Sequence, residues 1–266
     1  MHPAFIRTDH RPWPPPETPW AWRQSWVDLL FAHWPVPTAA LRPLVPERLT
    51  LQEFGGTSWV GVVPFRMTGV TRRSMPDLPW LSAFLELNLR LYVEHEGRAG
   101  VWFLSLDAAN PVAVWAARRW WHLPYFNARM SVERDGTQIR YVSKRTGAEP
   151  VLFSARYGPT AGACEAIPGT LDHFLTERYC LYTLAPDGCL LRAEVHHVPW
   201  PLQCAEAEIE VNELARPFGF DLDGPPRLLH FAKRLDVVIW PLERVPERCN
   251  RKDRVPASLC PALRPV

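Results

Sequence analysis

The chain has 266 residues, of which 47% are hydrophobic and 22% charged, a composition typical of a globular protein with one large domain or two small ones. Its formal net charge of +2 argues against a dedicated nucleic-acid-binding protein, because such domains concentrate a strong basic excess. The sequence shows neither a signal peptide nor an apolar run long enough to span a membrane, so we expect a cytoplasmic protein without a membrane partner.

The cysteines argue against a metal centre. No CxxC pair or other spacing typical of zinc ligands is present, so we expect no metal and no other cofactor. In a reducing cytoplasm their thiols are expected to be free. The six are Cys164, Cys180, Cys189, Cys204, Cys249 and Cys260.

The two ends of the chain differ from its middle. Residues 1–20 are rich in proline, and residues 246–266 mix proline and arginine without periodicity, so both are expected to be extended or disordered. We therefore predict a proline-rich N-terminal extension over residues 1–20, a single domain over residues 21–245 and a disordered tail over residues 246–266.

Alternation of apolar and polar residues predicts strands through most of the middle. The clearest case runs from Leu85 to Val93, where every second residue is apolar, the pattern of a strand with two different faces. Turn sequences such as Arg134-Asp135-Gly136 and Pro186-Asp187-Gly188 indicate hairpins. Further strands are expected at Ser58–Phe65, Val101–Leu106, Met130–Val132, Ile139–Arg145, Leu152–Tyr157, Leu190–His196 and Val237–Trp240.

Helical segments are few and short. The expected ones are Thr38–Leu44, Pro111–Trp121, Thr170–Glu177 and a piece near Cys204–Glu213. The fold class is therefore mainly β (α+β), with a mostly antiparallel sheet and a few short peripheral helices. Closure of the sheet into a barrel would leave no exposed edge.

The polar face of the strand from Leu85 to Val93 carries Glu86, Asn88 and Arg90. In a half-buried strand such a face points to water while the leucines face the core. The alternative is that this face lines a pocket. A carboxylate there would have its pKa raised by burial and lowered by any neighbouring guanidinium.

Downstream, Ser105 and Asp107 alternate with Trp102, Leu104 and Leu106, which predicts that Ser105 and Asp107 share one face of the adjacent strand. Asp107 precedes the helix at Pro111, so a turn or capping role is expected for it.

The segment from Ala117 to Phe126 resembles the active-site segment of acetoacetate decarboxylases. That family has Gly-Arg-Glu, a short hydrophobic stretch and Pro-Lys-Lys, and the first lysine forms a Schiff base with a β-keto acid. Here Ala117-Arg118-Arg119 and Pro124 fall in register, but Tyr125 and Phe126 occupy the lysine positions. Because a phenol cannot form an imine, the resemblance implies the fold without the Schiff-base reaction.

Three more motifs of this family occur in the same order. They are Leu41–Leu49 (LRPLVPERL), Ala83–Glu86 (AFLE) and Gly100–Ala108 (GVWFLSLDA). With FLTERYCLY and HHVPWPL, the pattern resembles the uncharacterised YqjF-like branch of the superfamily. The resemblance implies a barrel or cone in which Glu86 faces an internal pocket, and it leaves a homo-oligomer open.

Arginines supply the expected positive charges of such a pocket, since only three of the 30 Lys and Arg residues are lysines. Arg118 matches the family arginine, although it or Arg119 could instead pair with Asp107. Tyr141 and Arg145 share one face of the strand from Ile139 and would be substrate-binding if that face points inward. Arg178 could reach the pocket or form a structural ion pair.

Two hypotheses remain for function. In the first, the protein is an enzyme acting on a small carboxylate or β-dicarbonyl compound, with Glu86 and Tyr125 transferring protons and Arg118, Arg145, Arg90, Asn88, Tyr141 and Arg178 binding an anionic ligand. In the second, it is a non-catalytic binding or interaction protein on the same fold. Fold alone does not distinguish them, because function lies in the site.

Overall fold

The computed structural model describes residues 2–75, 82–147 and 149–246. The α-helices are α1 (Thr38–Leu41), α2 (Pro111–Ala116) and α3 (Leu171–Thr176), and a π turn (Ala117–Trp121) continues α2. 3-10 turns lie at Pro3–Ile6, Arg42–Leu44 and Arg216–Phe218. The strands are β1 (Trp22–Val36), β2 (Thr50–Leu51), β3 (Ser58–Arg72), β4 (Phe84–His95), β5 (Arg98–Ala108), β6 (Tyr125–Asp135), β7 (Gln138–Arg145), β8 (Leu152–Cys164), β9 (Cys180–Leu184), β10 (Leu190–His196), β11 (Leu202–Asn212), β12 (Leu228–Ile239) and β13 (Glu243–Arg244).

The sheet closes on itself. From β4, hydrogen-bonded neighbours run through β3, β1, β12, β11, β8, β7 and β6 to β5, which pairs again with β4. Strands β9 and β10 connect β5 to β12 by a shorter path. Most pairings are antiparallel, and β5 runs parallel to β6 and β9. The expected mainly β barrel with few short helices is confirmed.

Strand β4 has two buried faces. Leu87, Leu89 and Leu91 are fully buried in the larger hydrophobic core. The polar residues between them, Glu86 and Asn88, are only 3% and 5% exposed. The polar face of β4 therefore does not point to water.

A β-bulge changes the faces of β5. Leu89 pairs with Ser105, whereas the next residue, Arg90, pairs with Phe103. An extra residue on one strand reverses the alternation beyond it. Leu104 therefore packs in the larger core and Leu106 in the second core. Ser105 and Asp107 pair with Leu89 and Leu87 and share a face, as expected.

The close approach of β9 to β5 depends on Gly100. A side chain at this position would place its β-carbon 2.6 Å from Sγ and 2.7 Å from the backbone oxygen of Cys180. Only glycine lets the two strands come this close.

Strand β11 corrects the helix expected near Cys204–Glu213. Its half-buried residues, among them Ala205, Ala207 and Ile209, alternate with exposed glutamates. This spacing has the period of a strand, not of a helix.

The N-terminal segment packs against the domain. Arg11 forms an ion pair of 2.9 Å with buried Glu194, and the indole of Trp13 donates a 2.7 Å hydrogen bond to the same carboxylate. Ala4 packs with Trp240. These residues of the segment are packed, and outside the short 3-10 turn the segment has no helix or strand, as expected of an extended segment. The expected tail lies outside the described residues from residue 247 onward.

Two further sequence expectations concern cysteines and membranes. Cys164, Cys180 and Cys204 are free, but Cys189 is disulfide-bonded, so the expectation of free thiols is wrong there. Within the described ranges, helices long and apolar enough to cross a membrane are absent.

Candidate functional site

A cavity of about 380 Å³ lies against the polar face of β4. Its exposed rim includes Met75, Val112 and Trp120, which marks the mouth beside α2 and the π turn. The buried part of the wall includes Glu86, Asn88, Arg90, Tyr125, Thr176, Arg178, His197 and Trp200. A volume of this size lies in the range of ligand sites.

Glu86 and Tyr125 form a hydrogen-bonded pair in this wall. The Tyr125 hydroxyl donates to Oε2 of Glu86 over 2.8 Å. Burial raises the pKa of Glu86 to about 8, although hydrogen bonds from Tyr125 and Asn88 act in the opposite direction. Burial and the adjacent Glu86 also raise the pKa of Tyr125 well above its ordinary value. Glu86 is therefore a carboxylic acid at neutral pH.

The local fold explains how Tyr125 reaches Glu86. Tyr125 is the first residue of β6 and pairs in parallel with Leu106 of β5. Glu86 lies on the other side of β5, paired with Ala108. The π turn therefore leads the chain back to β5, so that Tyr125 and Glu86 lie on either side of this strand.

Arg90 lies farther along the same face. Its Nε donates to the Tyr92 hydroxyl over 3.2 Å and its Nη2 to the Leu175 carbonyl over 2.9 Å. Gly61 leaves room for this arrangement, since a β-carbon there would lie 2.9 Å from the Tyr92 hydroxyl. Through residues 2–75, 82–147 and 149–246, Arg90 has no ion-pair partner.

Arg178 is the second buried cation of the cavity. Its Nε donates to the Phe174 carbonyl over 2.7 Å and its Nη1 to Oε1 of Gln52 over 2.6 Å. Nη2 has no hydrogen-bond partner among the described residues. Burial lowers the pKa of Arg178 to about 10, and the nearby charge of Arg90 adds to that shift. The side chain nevertheless remains protonated at neutral pH.

The two guanidiniums lie together and away from Glu86. The guanidinium carbons of Arg90 and Arg178 lie 5.4 and 5.3 Å from the centroid of the Tyr92 ring. Tyr92 follows Arg90 on the same face of β4, so both guanidiniums lie towards the C-terminal end of the strand, away from Glu86. The cavity thus has a cationic end and an acid end.

Three residues expected to bind ligand do not line the cavity. Arg145 instead forms a 2.8 Å ion pair with buried Asp107, and neither Arg118 nor Arg119 takes that partner. Arg118 donates its Nε to the Tyr125 carbonyl over 2.6 Å. Tyr141 donates its hydroxyl to the Glu86 carbonyl over 2.8 Å. These contacts hold the backbone around the site, so direct ligand binding by Arg118, Arg145 and Tyr141 is not supported.

Several residues of the wall were not singled out from the sequence. Thr176 and Trp200 line the cavity, but their sequence surroundings are those of ordinary core residues. His197 also lines it, whereas His196 does not. Adjacent residues of an extended segment point to opposite sides. The sequence therefore indicates that one of the two histidines faces inward, but not which one. Gln52, which holds Arg178, lies 126 positions earlier in the chain.

The cavity offers no chemistry based on an amine or a metal among the residues described. Its wall contains no lysine, and no group of three metal-ligating side chains occurs in those parts of the chain. What the wall offers is a neutral carboxyl group, a phenol and two guanidiniums.

Comparisons with known proteins agree with this architecture. Residues 23–236 match the model of DUF2071, described as an uncharacterized conserved protein. The chain belongs to the DUF2071 family. Its relative YqjF from Bacillus subtilis is 45% identical over 229 residues, which cover 86% of this chain and 94% of YqjF. The expected YqjF-like branch is thereby confirmed.

Several solved structures share the fold of this DUF2071 protein at low sequence identity. An acetoacetate decarboxylase from Legionella pneumophila is 12% identical with a TM-score of 0.60, over 92% of this chain and 96% of its own. The enduracididine biosynthesis enzyme MppR complexed with pyruvate is 14% identical with a TM-score of 0.62, over 85% and 91%. An acetoacetate decarboxylase-like enzyme from Sphingomonas wittichii is 16% identical with a TM-score of 0.58, over 86% and 94%. These similarities establish the acetoacetate decarboxylase-like fold.

Proposed function

We propose that this protein binds an organic acid in its cavity and transfers a proton to or from it through Glu86 and Tyr125. The observation that carries the proposal is a carboxyl group protonated at neutral pH that shares one cavity with two guanidiniums lacking carboxylate partners among the described residues. Titratable groups with perturbed pKa values in a cavity are typical of functional sites.

Arg90 and Arg178 form the binding end for the carboxylate of the ligand. Burying a cation without a counter-ion is costly, and a bound carboxylate would remove that cost. Among the described residues, Nη2 of Arg178 has no hydrogen-bond acceptor, so it can donate to a ligand. A guanidinium binds a carboxylate through charge-assisted hydrogen bonds.

Glu86 is the proton donor. It can give its proton to an oxygen of the ligand as that oxygen gains negative charge during the reaction. The carboxylate left behind keeps the hydrogen bonds from Tyr125 and Asn88, which favour the ionised form. The two donors therefore make release of the proton easier and allow Glu86 to take it back.

The wall supports acid and base chemistry over imine chemistry, because an imine requires an amine and the described wall has no lysine. Structural relatives include an enzyme complexed with pyruvate, which is itself a small carboxylate with a carbonyl group. We therefore propose a carboxylate bearing a second carbonyl group, or a β-dicarbonyl compound, as the substrate class.

The proposal is tested by incubating the protein in D₂O with acids that carry a second carbonyl group. Proton NMR follows consumption of each acid and replacement of carbon-bound hydrogen by deuterium. We expect Glu86→Gln to slow conversion by roughly a hundredfold or more, and Tyr125→Phe to lower the rate while ligand affinity is kept. Glu208→Gln, which changes an exposed glutamate of β11, is the matched control.

The pH profile gives a second criterion. Because Glu86 must hold its proton, conversion should fall as pH rises through about 8. Acids that bind in an Arg178-dependent manner without any conversion would favour the non-catalytic alternative on the same fold. The proposal would be contradicted if Arg178→Gln still bound the acid normally and Glu86→Gln still converted it at the wild-type rate.

A further inference from the structure

We infer that the ligand is an elongated amphipathic acid, whose carboxylate lies at Arg90 and Arg178 and whose apolar body runs along β4 towards Glu86 and the mouth. This inference rests on the proposed function and specifies its substrate class. It follows from the spacing of the polar groups, the character of the wall between them and the size of the cavity.

The spacing of the polar groups sets the length. Because a strand rises about 3.4 Å per residue, the α-carbons of Glu86 and Arg90 lie roughly 13 Å apart. The Arg90 side chain bends away from Glu86, since its Nε donates to the hydroxyl of Tyr92. A β-keto acid as short as acetoacetate has only two carbon–carbon bonds between carboxylate and keto carbons. It cannot contact both ends of the cavity.

Apart from Asn88, the wall between the two ends is apolar. Across the pairing with β3, Val63 lies opposite Asn88 and Phe65 lies opposite Glu86. Across the pairing with β5, Leu106 lies opposite Asn88. Directly opposed residues share a face of the sheet, and all three apolar residues line the cavity. The path from Arg90 to Glu86 is therefore flanked on both sides by hydrocarbon.

The cavity is also larger than a short acid needs. A volume of about 380 Å³ would remain mostly unfilled around butanoic acid, and the apolar wall would keep its contact with water. An alkyl chain or an aromatic ring displaces that water, and burial of each added methylene group is favourable. The exposed Trp120 and Met75 extend the apolar surface to the mouth.

The inference is tested by calorimetric titration of the full-length protein with straight-chain acids from butanoic to dodecanoic acid. The matching primary alcohols serve as uncharged controls. We expect the affinity for the acids to rise by about fourfold per methylene group until the cavity is filled. The alcohols should bind more weakly than acids of equal length.

Variants separate the two ends. Arg178→Gln should weaken every acid by a similar factor and leave the alcohols unchanged, whereas Arg156→Gln, outside the cavity, should change neither. Ala113→Phe, at the half-buried rim, should reduce the chain length at which acid affinity is highest. Ala39→Phe on α1 should leave that chain length unchanged.

Two different results would overturn the inference. Affinities that depend on Arg178 but stay flat from butanoic to decanoic acid would refute the elongated ligand and leave the proposed acid-binding function standing. Alcohols that bind as tightly as acids, with no effect of Arg178→Gln, would refute the proposed function and the inference together.

Discussion

Asp107 and Glu86 are both buried acids on neighbouring strands, and their surroundings differ in one respect. Asp107 lies 2.8 Å from the guanidinium of Arg145, whereas Glu86 is hydrogen-bonded by Tyr125 and Asn88 and, in the part of the chain that the structure describes, has no cation against it. Glu194, with Arg11 and Arg98 at 2.9 and 2.8 Å, follows the pattern of Asp107. The charge of a buried acid that pairs with an arginine is already balanced by the protein. Glu86 does not pair with the guanidiniums of the cavity. Each of these groups can therefore interact with a ligand.

The largest effect is expected from breaking the Asp107 pair. Arg145→Gln should lower the free energy of unfolding by about 3–5 kcal/mol, because it leaves a buried carboxylate without its counter-ion. Chemical denaturation measures the change. The double variant Asp107→Asn/Arg145→Gln should recover much of the loss, since neither charge then remains buried alone. A small effect of Arg145→Gln would mean that Asp107 and Glu86 are not the two different kinds of site described above.

A pH-dependent effect is expected at Glu86. Its pKa is about 8 in the folded protein against 4.5 for the free side chain, so between these values the folded state holds a proton that the unfolded state has released. The free energy of unfolding contributed by Glu86 therefore falls as pH rises through this window and is constant above it. Glu86→Gln should remove this fall, so the variant gains stability relative to the wild type with rising pH.

Denaturation of both proteins at about pH 5 and about pH 9 measures this difference. Glu208→Gln controls for the loss of a carboxylate in general. A difference between wild type and Glu86→Gln that is the same at both pH values would show that Glu86 is ionised in the fold, as a paired acid is.

The smallest effect is expected at Arg118, which the sequence favoured as a ligand-binding residue. It is half-buried and outside the cavity, and its hydrogen bond goes to the Tyr125 carbonyl. Arg118→Ala should lower the free energy of unfolding by about 1 kcal/mol and change acid affinity less than Arg178→Gln does. Calorimetric titration of both variants with the same acid measures the two losses of affinity. A larger loss in Arg118→Ala than in Arg178→Gln would indicate that the anion binds at the π turn.

Local pattern predicted a mainly β fold, and the family resemblance implied that it closes into a barrel. Alternation along β4 places Glu86 on the polar face, which by itself could point to water or to a pocket, and the family motif places Tyr125 at what is the start of β6. The fold resemblance then implies that they share a pocket. Both statements concern residues whose neighbours in space follow from the order of strands.

The partners of the arginines could not be predicted in this way. Arg145 on β7 pairs with Asp107 on β5, two strands away in the sheet, and Arg178 pairs with Gln52 from a distant part of the chain. Which arginine receives a carboxylate depends on side-chain geometry that strand order leaves open. The bulge in β5 likewise has no sequence marker of its own, since apolar residues continue on both sides of it.

The N-terminal segment makes contacts with the domain although it lies outside the residues that match the family. The family match begins at residue 23, yet Arg11 and Trp13 supply two of the bonds to Glu194, and Ala4 covers Trp240. A boundary drawn from similarity alone would cut through this packing. Residues that precede the family match therefore complete the pairing of Glu194 and the packing around Trp240.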